Sequence, residues 1–174
     1  MNDNVLQPAI AATPKDEWMT PEWLIAGVKA FAGKIDLDPA TSVTANQHYI
    51  QAPEIYVKEE TKNGLWNDWD AEVTWCNPPF SETGQWVDKT WGEYATFRGE
   101  IFLLTPTPHG DTWAYSLLEA PRVLFFSRRI SFVDPATMQP VKGNMQGSML
   151  TYFGHRPAKF SVYFEQWGRI LRMV

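Results

Sequence analysis

Cysteine is nearly absent. Cys76 is the single one in 174 residues, which excludes an internal disulfide and agrees with a reducing compartment. Histidine is scarce as well: three scattered histidines and one cysteine give no metal-ligand spacing, so neither a structural nor a catalytic metal is expected. No apolar run approaches the ~20 residues of a membrane-spanning helix, and the opening MNDNVLQPAIAATPKDEW lacks the basic-then-apolar profile of a secretory signal. Neither an internal repeat nor a low-complexity tract is visible. A cytoplasmic protein with no membrane partner is the expectation.

What is present suffices for one core. A hydrophobic content of 44% in this length predicts one ordinary globular domain. Residues 1–15, polar and carrying Pro8 and Pro14, read as a flexible N-terminal arm, with the domain over 16–174. Nine tryptophans are many for the length; most are expected to pack, and some could offer flat faces to a cofactor or a base.

The net charge of −5 argues at first against a polyanion partner, but it is unevenly spread. Residues 1–120 hold 7 Lys and Arg against 18 Asp and Glu, whereas 121–174 hold 8 against Asp134 and Glu165. Such asymmetry hints at a polyanion-binding side, although a basic solvated surface would give the same count.

A helix is expected from Thr20, with Thr20 as N-cap, Pro21 first in the helix and Gly33 as its stop. Ile35 to Asp38 reads as a short strand closed by Pro39. Val73 to Cys76 reads as a strand that stops at Asn77-Pro78-Pro79-Phe80, because two prolines cannot continue a ladder. Ser81 to Trp91 and Thr112 to Leu118 look helical; Ile101 to Leu104 and Val123 to Phe126 look like buried strands. This alternation predicts an α/β fold on a mainly parallel sheet. Beyond it, Ile130 to Val133, Ser148 to Phe153 and Phe160 to Phe164 are strand-like and predict antiparallel pairing, with a mobile loop over Asp134 to Gly147.

Asn77-Pro78-Pro79-Phe80 carries the most chemistry. At the carboxyl end of a strand it puts a side-chain amide and a rigid carbonyl where open α/β sheets bind ligands. An exocyclic amine on a heterocycle is a poor nucleophile, its lone pair being delocalised into the ring. Two acceptors, the Asn77 side-chain oxygen and the Pro78 carbonyl, would hold both N–H groups, favour a tetrahedral nitrogen and stabilise the positive charge of methyl transfer. The prolines keep that geometry tight, and Phe80 would stack on the base. Asp36-Leu37-Asp38-Pro39-Ala40 places a carboxylate at another strand end, able to accept from a cofactor's ammonium or hydroxyls; a plain Asx-turn would look the same.

Taken in order, Asp16-Glu17-Trp18-Met19-Thr20-Pro21, then Asp36-Leu37-Asp38-Pro39-Ala40, then Trp75-Cys76-Asn77-Pro78-Pro79-Phe80, resemble the phage-type DNA adenine-N6 methyltransferase (Dam-like) family. The resemblance runs over roughly residues 14–155 and takes in Thr112-Trp113 and Arg129 to Phe132. It implies a Rossmann-like class I methyltransferase using S-adenosylmethionine. Asn77, Pro78, Pro79 and Phe80 match the catalytic motif; Asp38, Pro39 and Ala40 match the cofactor turn; Trp18, Thr20 and Pro21 match a segment covering the cofactor. Two departures stand out: no G-x-G turn follows the first strand, and Phe80 stands where such enzymes often have Tyr. The contact to the ribose or adenine stays open among Glu59, Glu60, Asn63 and Asp68.

An adenine amine in a duplex is out of reach of an in-line donor, so extrusion of the base or a single-stranded substrate is required. Arg128, Arg129 and Lys142 are the candidates for phosphate contact, with the loop Met138 to Ser148 near a groove. No large separate target-recognition domain is expected, which implies a short target, loose specificity or a homodimer in place of a monomer. The alternatives are methyl transfer to cytosine N4, RNA or protein glutamine, and a non-catalytic DNA-binding or anti-restriction protein on the same scaffold. If the chain is phage-encoded, it would act in the host cytoplasm.

Overall fold

The computed structural model describes residues 15–57, 63–142 and 144–172. The expected arm, apart from Lys15, and the candidates Glu59 and Glu60 lie outside them.

Among the described residues, seven strands form one mixed sheet in the order β2 (Glu54–Ile55), β1 (Leu37–Asp38), β3 (Val73–Cys76), β4 (Glu100–Pro106), β8 (Ser148–Phe153), β5 (Arg122–Phe126), β9 (Gly168–Arg172). β1 to β4 pair in parallel. β8 lies antiparallel between β4 and β5, and β9 runs antiparallel to β5. The sheet is thus parallel on the N-terminal side and antiparallel toward the C-terminus, a Rossmann-like α/β arrangement. β5 runs in the direction of β4, so β1, β3, β4 and β5 all end at one edge.

Helices cover both faces, which is why the central strands are apolar almost throughout rather than alternating with polar residues. Along β4, Phe102 and Leu104 point into a layer with Leu24, Ile25, Val28 and Phe31 of α1 (Glu22–Ala32) and Phe160 and Phe164 of α5 (Pro157–Phe164). Ile101 and Leu103, one pleat out of step, face Trp86 and Val87 of α3 (Thr83–Thr96) and Leu117 of α4 (Trp113–Leu117). A short helix α2 (Val43–Ala45), N-capped by the Ser42 hydroxyl, leads toward β2.

Three expectations are corrected. Phe160 to Phe164 is helical: Pro157 opens α5, and Phe160, Ser161 and Phe164 are buried at spacings of three and four. A short apolar run suits a strand or a buried helix equally, and proline at the first turn decides between them here. The stretch Ile130 to Val133 does not join the sheet; only its last residue enters a small hairpin, β6 (Val133–Asp134) with β7 (Gln139–Pro140). The expected loop over 134–147 therefore holds a hairpin at its start. Finally, α1 begins at Glu22 with Pro21 in the cap position and no side-chain cap. Thr20 does not cap it: its hydroxyl is buried without a partner among the described residues. β9 was not foreseen, its exposed face giving no apolar pattern.

Candidate active site

Where β1 and β3 end, the chain opens a cavity of about 570 Å³, within the range of small-molecule and cofactor sites. Its walls include Asp38, Pro39, Ala40, Asn77 and Pro79, together with Trp18 and Thr20 from the segment before α1. Pro21 is buried but lies off the cavity, its carbonyl accepting from Leu24 N at 3.1 Å as the helix begins. Of the open candidates, Asn63 lines the cavity; Asp68 is exposed and does not.

Asp38 is 1% exposed. Burial pushes its carboxyl up to about 7, against the hydrogen bond from Ala40 N at 3.0 Å and a contact from Thr41 that favour the charged form. The fully buried Cys76 thiol is raised as well, by burial first and then by the charge of Asp38. A carboxylate held at such cost, with an open cavity beside it, suits a cationic ligand group.

Gly64 closes the far wall. A side chain there would put Cβ 2.1 Å from the Pro39 carbonyl oxygen and 2.8 Å from the Trp86 ring, so only glycine lets the turn lie against both. Trp69 Nε1 holds that turn by donating to the Gly64 carbonyl at 2.8 Å.

Asn77 faces two spaces. Besides the cavity, it lines a narrow cleft of about 10 Å³ shared with Asp16, Trp18, Pro78, Phe80 and Phe132. Its Oδ1 is buried and, among the described residues, has no hydrogen-bond partner. Phe80 stands edge-on to Phe132 with ring centroids 5.8 Å apart, and Trp18 is tilted against Phe132 at 6.3 Å. Aromatic faces thus flank the amide.

The Trp18 wall is strapped at both ends. Ser81 N and Oγ donate to the Asp16 carboxylate at 3.3 and 2.7 Å. Met19 and Val133 exchange backbone bonds at 2.8 and 2.9 Å.

The three basic candidates are exposed, and they follow β5 or lead toward β8, at the same sheet edge. Arg129 and Lys142 share an open groove of about 500 Å³ with Ile130, Ser131, Gln139, Pro140, Val141 and Asn144. Arg128 does not line it. Among the described residues no group of His, Cys, Asp and Glu converges as a metal site, and no helix is long and apolar enough to cross a membrane.

Sequence reasoning missed Trp75 and Trp86, which both line the cavity. Trp75 stands two residues before Asn77 and was open to suspicion; nothing in the sequence points to Trp86.

A family model described as DNA N-6-adenine-methyltransferase (Dam) matches residues 8–163. The DNA N-6-adenine-methyltransferase of Haemophilus phage HP1 (strain HP1c1) is 24% identical over 142 residues, covering 80% of this chain and 79% of that protein. The DNA N-6-adenine-methyltransferase of Escherichia phage T1 is 26% identical over 152 residues, covering 78% of this chain and 61% of that longer protein.

Proposed function

Because the chain belongs to the DNA N-6-adenine-methyltransferase (Dam) family, we propose that it moves a methyl group from S-adenosylmethionine to the exocyclic N6 of an adenine in DNA, after the base is extruded. The observation that carries this reading is Asn77 Oδ1: a buried acceptor without a partner among the described residues, between a cofactor-sized cavity and an aromatic cleft.

The cavity residues fit the methyl donor. Asp38 offers a carboxylate to its ammonium or hydroxyl groups, Pro39 and Ala40 shape the turn beneath it, and Trp18 and Thr20 cover it. When bound, the cofactor supplies an activated methyl on a sulfonium. Asn77 Oδ1 and the Pro78 carbonyl accept the two N–H groups of the amine, which draws the nitrogen toward tetrahedral geometry and withdraws its lone pair from conjugation with the ring. The same two oxygens stabilise the positive charge that grows on that nitrogen, without reorganising, until the methylated nitrogen releases a proton to solvent. Pro79 keeps their relative positions fixed. Phe80 stacks on the base, with Phe132 and Trp18 as further walls. The cleft now has room for about one water, so these aromatic side chains must part as the base enters.

Arg129 and Lys142, with Arg128 beside them, hold phosphates along the groove at the same edge. Residues 16–174 act as one methyltransferase unit, in a monomer or a homodimer, and this groove contributes to target selection. In a phage-infected cell the site of action would be the host cytoplasm.

The test is transfer of radiolabelled methyl groups to DNA, RNA and protein in parallel, followed by nucleoside analysis. N6-methyladenine in DNA is the expected product. N4-methylcytosine would replace the acceptor and spare the mechanism; no transfer to any acceptor would overturn the reading.

A further inference from the structure

Buried polar atoms without partners are uncommon, because each loses hydration and regains nothing. Among the described residues, four such atoms belong to residues that line the large cavity: Thr20 Oγ1, Trp75 Nε1, Asn77 Oδ1 and Trp86 Nε1. Asn77 Oδ1 is accounted for by the amine above. The other three sit on side chains more than nine-tenths buried, with Thr20 3%, Trp75 0% and Trp86 5% exposed.

Their chemistry constrains the ligand. An indole N–H only donates, so whatever satisfies Trp75 and Trp86 carries acceptors. The two indoles come from opposite sides of the sheet: Trp75 packs in the layer beneath α1 and α5, and Trp86 in the layer beneath α3 and α4. Thr20 stands between Met19 and α1, which both pack in the layer of Trp75. A molecule satisfying both indoles therefore bends over the sheet edge, past Asp38, with an acceptor at each end.

The two ends differ. On the Thr20 side two donors, a hydroxyl and an indole N–H, match the two oxygens of a carboxylate. On the Trp86 side one donor stands with Leu65, Gly64 and Pro39, an apolar setting suited to a ring with a single acceptor edge. We propose that Trp75, with Thr20, holds the carboxylate of the methyl donor's amino-acid end, and that Trp86 donates to its nucleoside end. The assignment rests on the donor being S-adenosylmethionine, as proposed above.

Calorimetric titration of the full chain tests it with two ligands that cannot react. S-adenosylhomocysteine has both ends; 5′-methylthioadenosine has the nucleoside end alone. Trp75→Phe and Trp86→Phe keep a buried ring and remove the N–H. Trp75→Phe is expected to weaken S-adenosylhomocysteine about tenfold while 5′-methylthioadenosine stays within about twofold of wild type. Trp86→Phe is expected to weaken both ligands by similar factors. Should Trp75→Phe fail to fold, Thr20→Val removes the neighbouring hydroxyl at equal size and is expected to show the same split. Equal losses on both ligands at position 75 or 20, or no loss at position 86, would overturn the assignment. Wild-type protein that binds neither ligand would instead overturn the methyl-donor reading on which it rests.

Discussion

Ser81 Oγ donates to the Asp16 carboxylate at 2.7 Å, across 65 residues of sequence. The bond ties the turn that follows Asn77-Pro78-Pro79-Phe80 to the segment carrying Trp18, so one contact couples the wall of the cavity to the wall of the cleft. Asp16→Ala is expected to raise the KM for the methyl donor and for DNA severalfold, the worth of one solvent-exposed hydrogen bond of about 1 kcal/mol. Thermal stability should barely change, since the pair is exposed. Steady-state kinetics beside a melting curve check this; a fall in kcat with unchanged KM values would refute the coupling.

Asn77→Ala removes the unpartnered acceptor and leaves the cavity open. Turnover is expected to fall by about 10²–10³ or more, the usual loss for one preorganised polar group. S-adenosylhomocysteine affinity should stay near wild type. Single-turnover methyl transfer and calorimetry measure the two separately.

Asp38 sets a pH dependence. Between the ordinary carboxylate value of ~3.9 and about 7 the folded protein keeps a proton on this group that the unfolded chain releases. Its contribution to stability is therefore full at acid pH and is lost as pH rises through about 7. Asp38→Asn should gain in melting temperature relative to wild type as the pH is raised across that window. Binding of a cationic donor needs the carboxylate, so affinity should rise over the same interval in wild type and stay flat in Asp38→Asn.

Arg129 and Lys142 face one groove. If each meets a phosphate, the double alanine variant should weaken DNA binding and lower the slope of log K against log salt by about 0.9 per lost contact. An unchanged slope in a salt titration would remove them from the DNA track.

Gly64→Ala would bring Cβ to 2.1 Å from the Pro39 carbonyl. Backbone cannot yield as a flexible side chain does, so a loss of about 1–3 kcal/mol is expected by denaturant unfolding, with weaker methyl-donor binding because Gly64 also lines the cavity.

The parts of the site that were legible in the sequence are contiguous. Asn77 to Phe80 announces itself because two prolines end a strand, and Asp38-Pro39 because a carboxylate meets a turn. The parallel core was legible from Ile101 to Leu104 and Val123 to Phe126, whose apolar runs alternate with helical stretches. Trp86 was not legible: it enters the cavity from α3, where its spacing with Val87 and Thr90 reads as ordinary helix burial. Phe160 to Phe164 misled for a related reason, since five residues with three aromatics satisfy either period. The bond between Asp16 and Ser81 depends on folding alone.

The place of β8 has a consequence for how the molecule comes together. It fills the gap between β4 and β5, yet it is made after both. During synthesis, until residues 148–153 leave the ribosome, β4 waits with one unpaired side and β5 with both, since β9 comes later still, the condition under which chains stick to one another. Completion of the sheet is thus a late, long-range event, and a chain halted before Ser148 is expected to be an aggregating fragment with no stable half of its own.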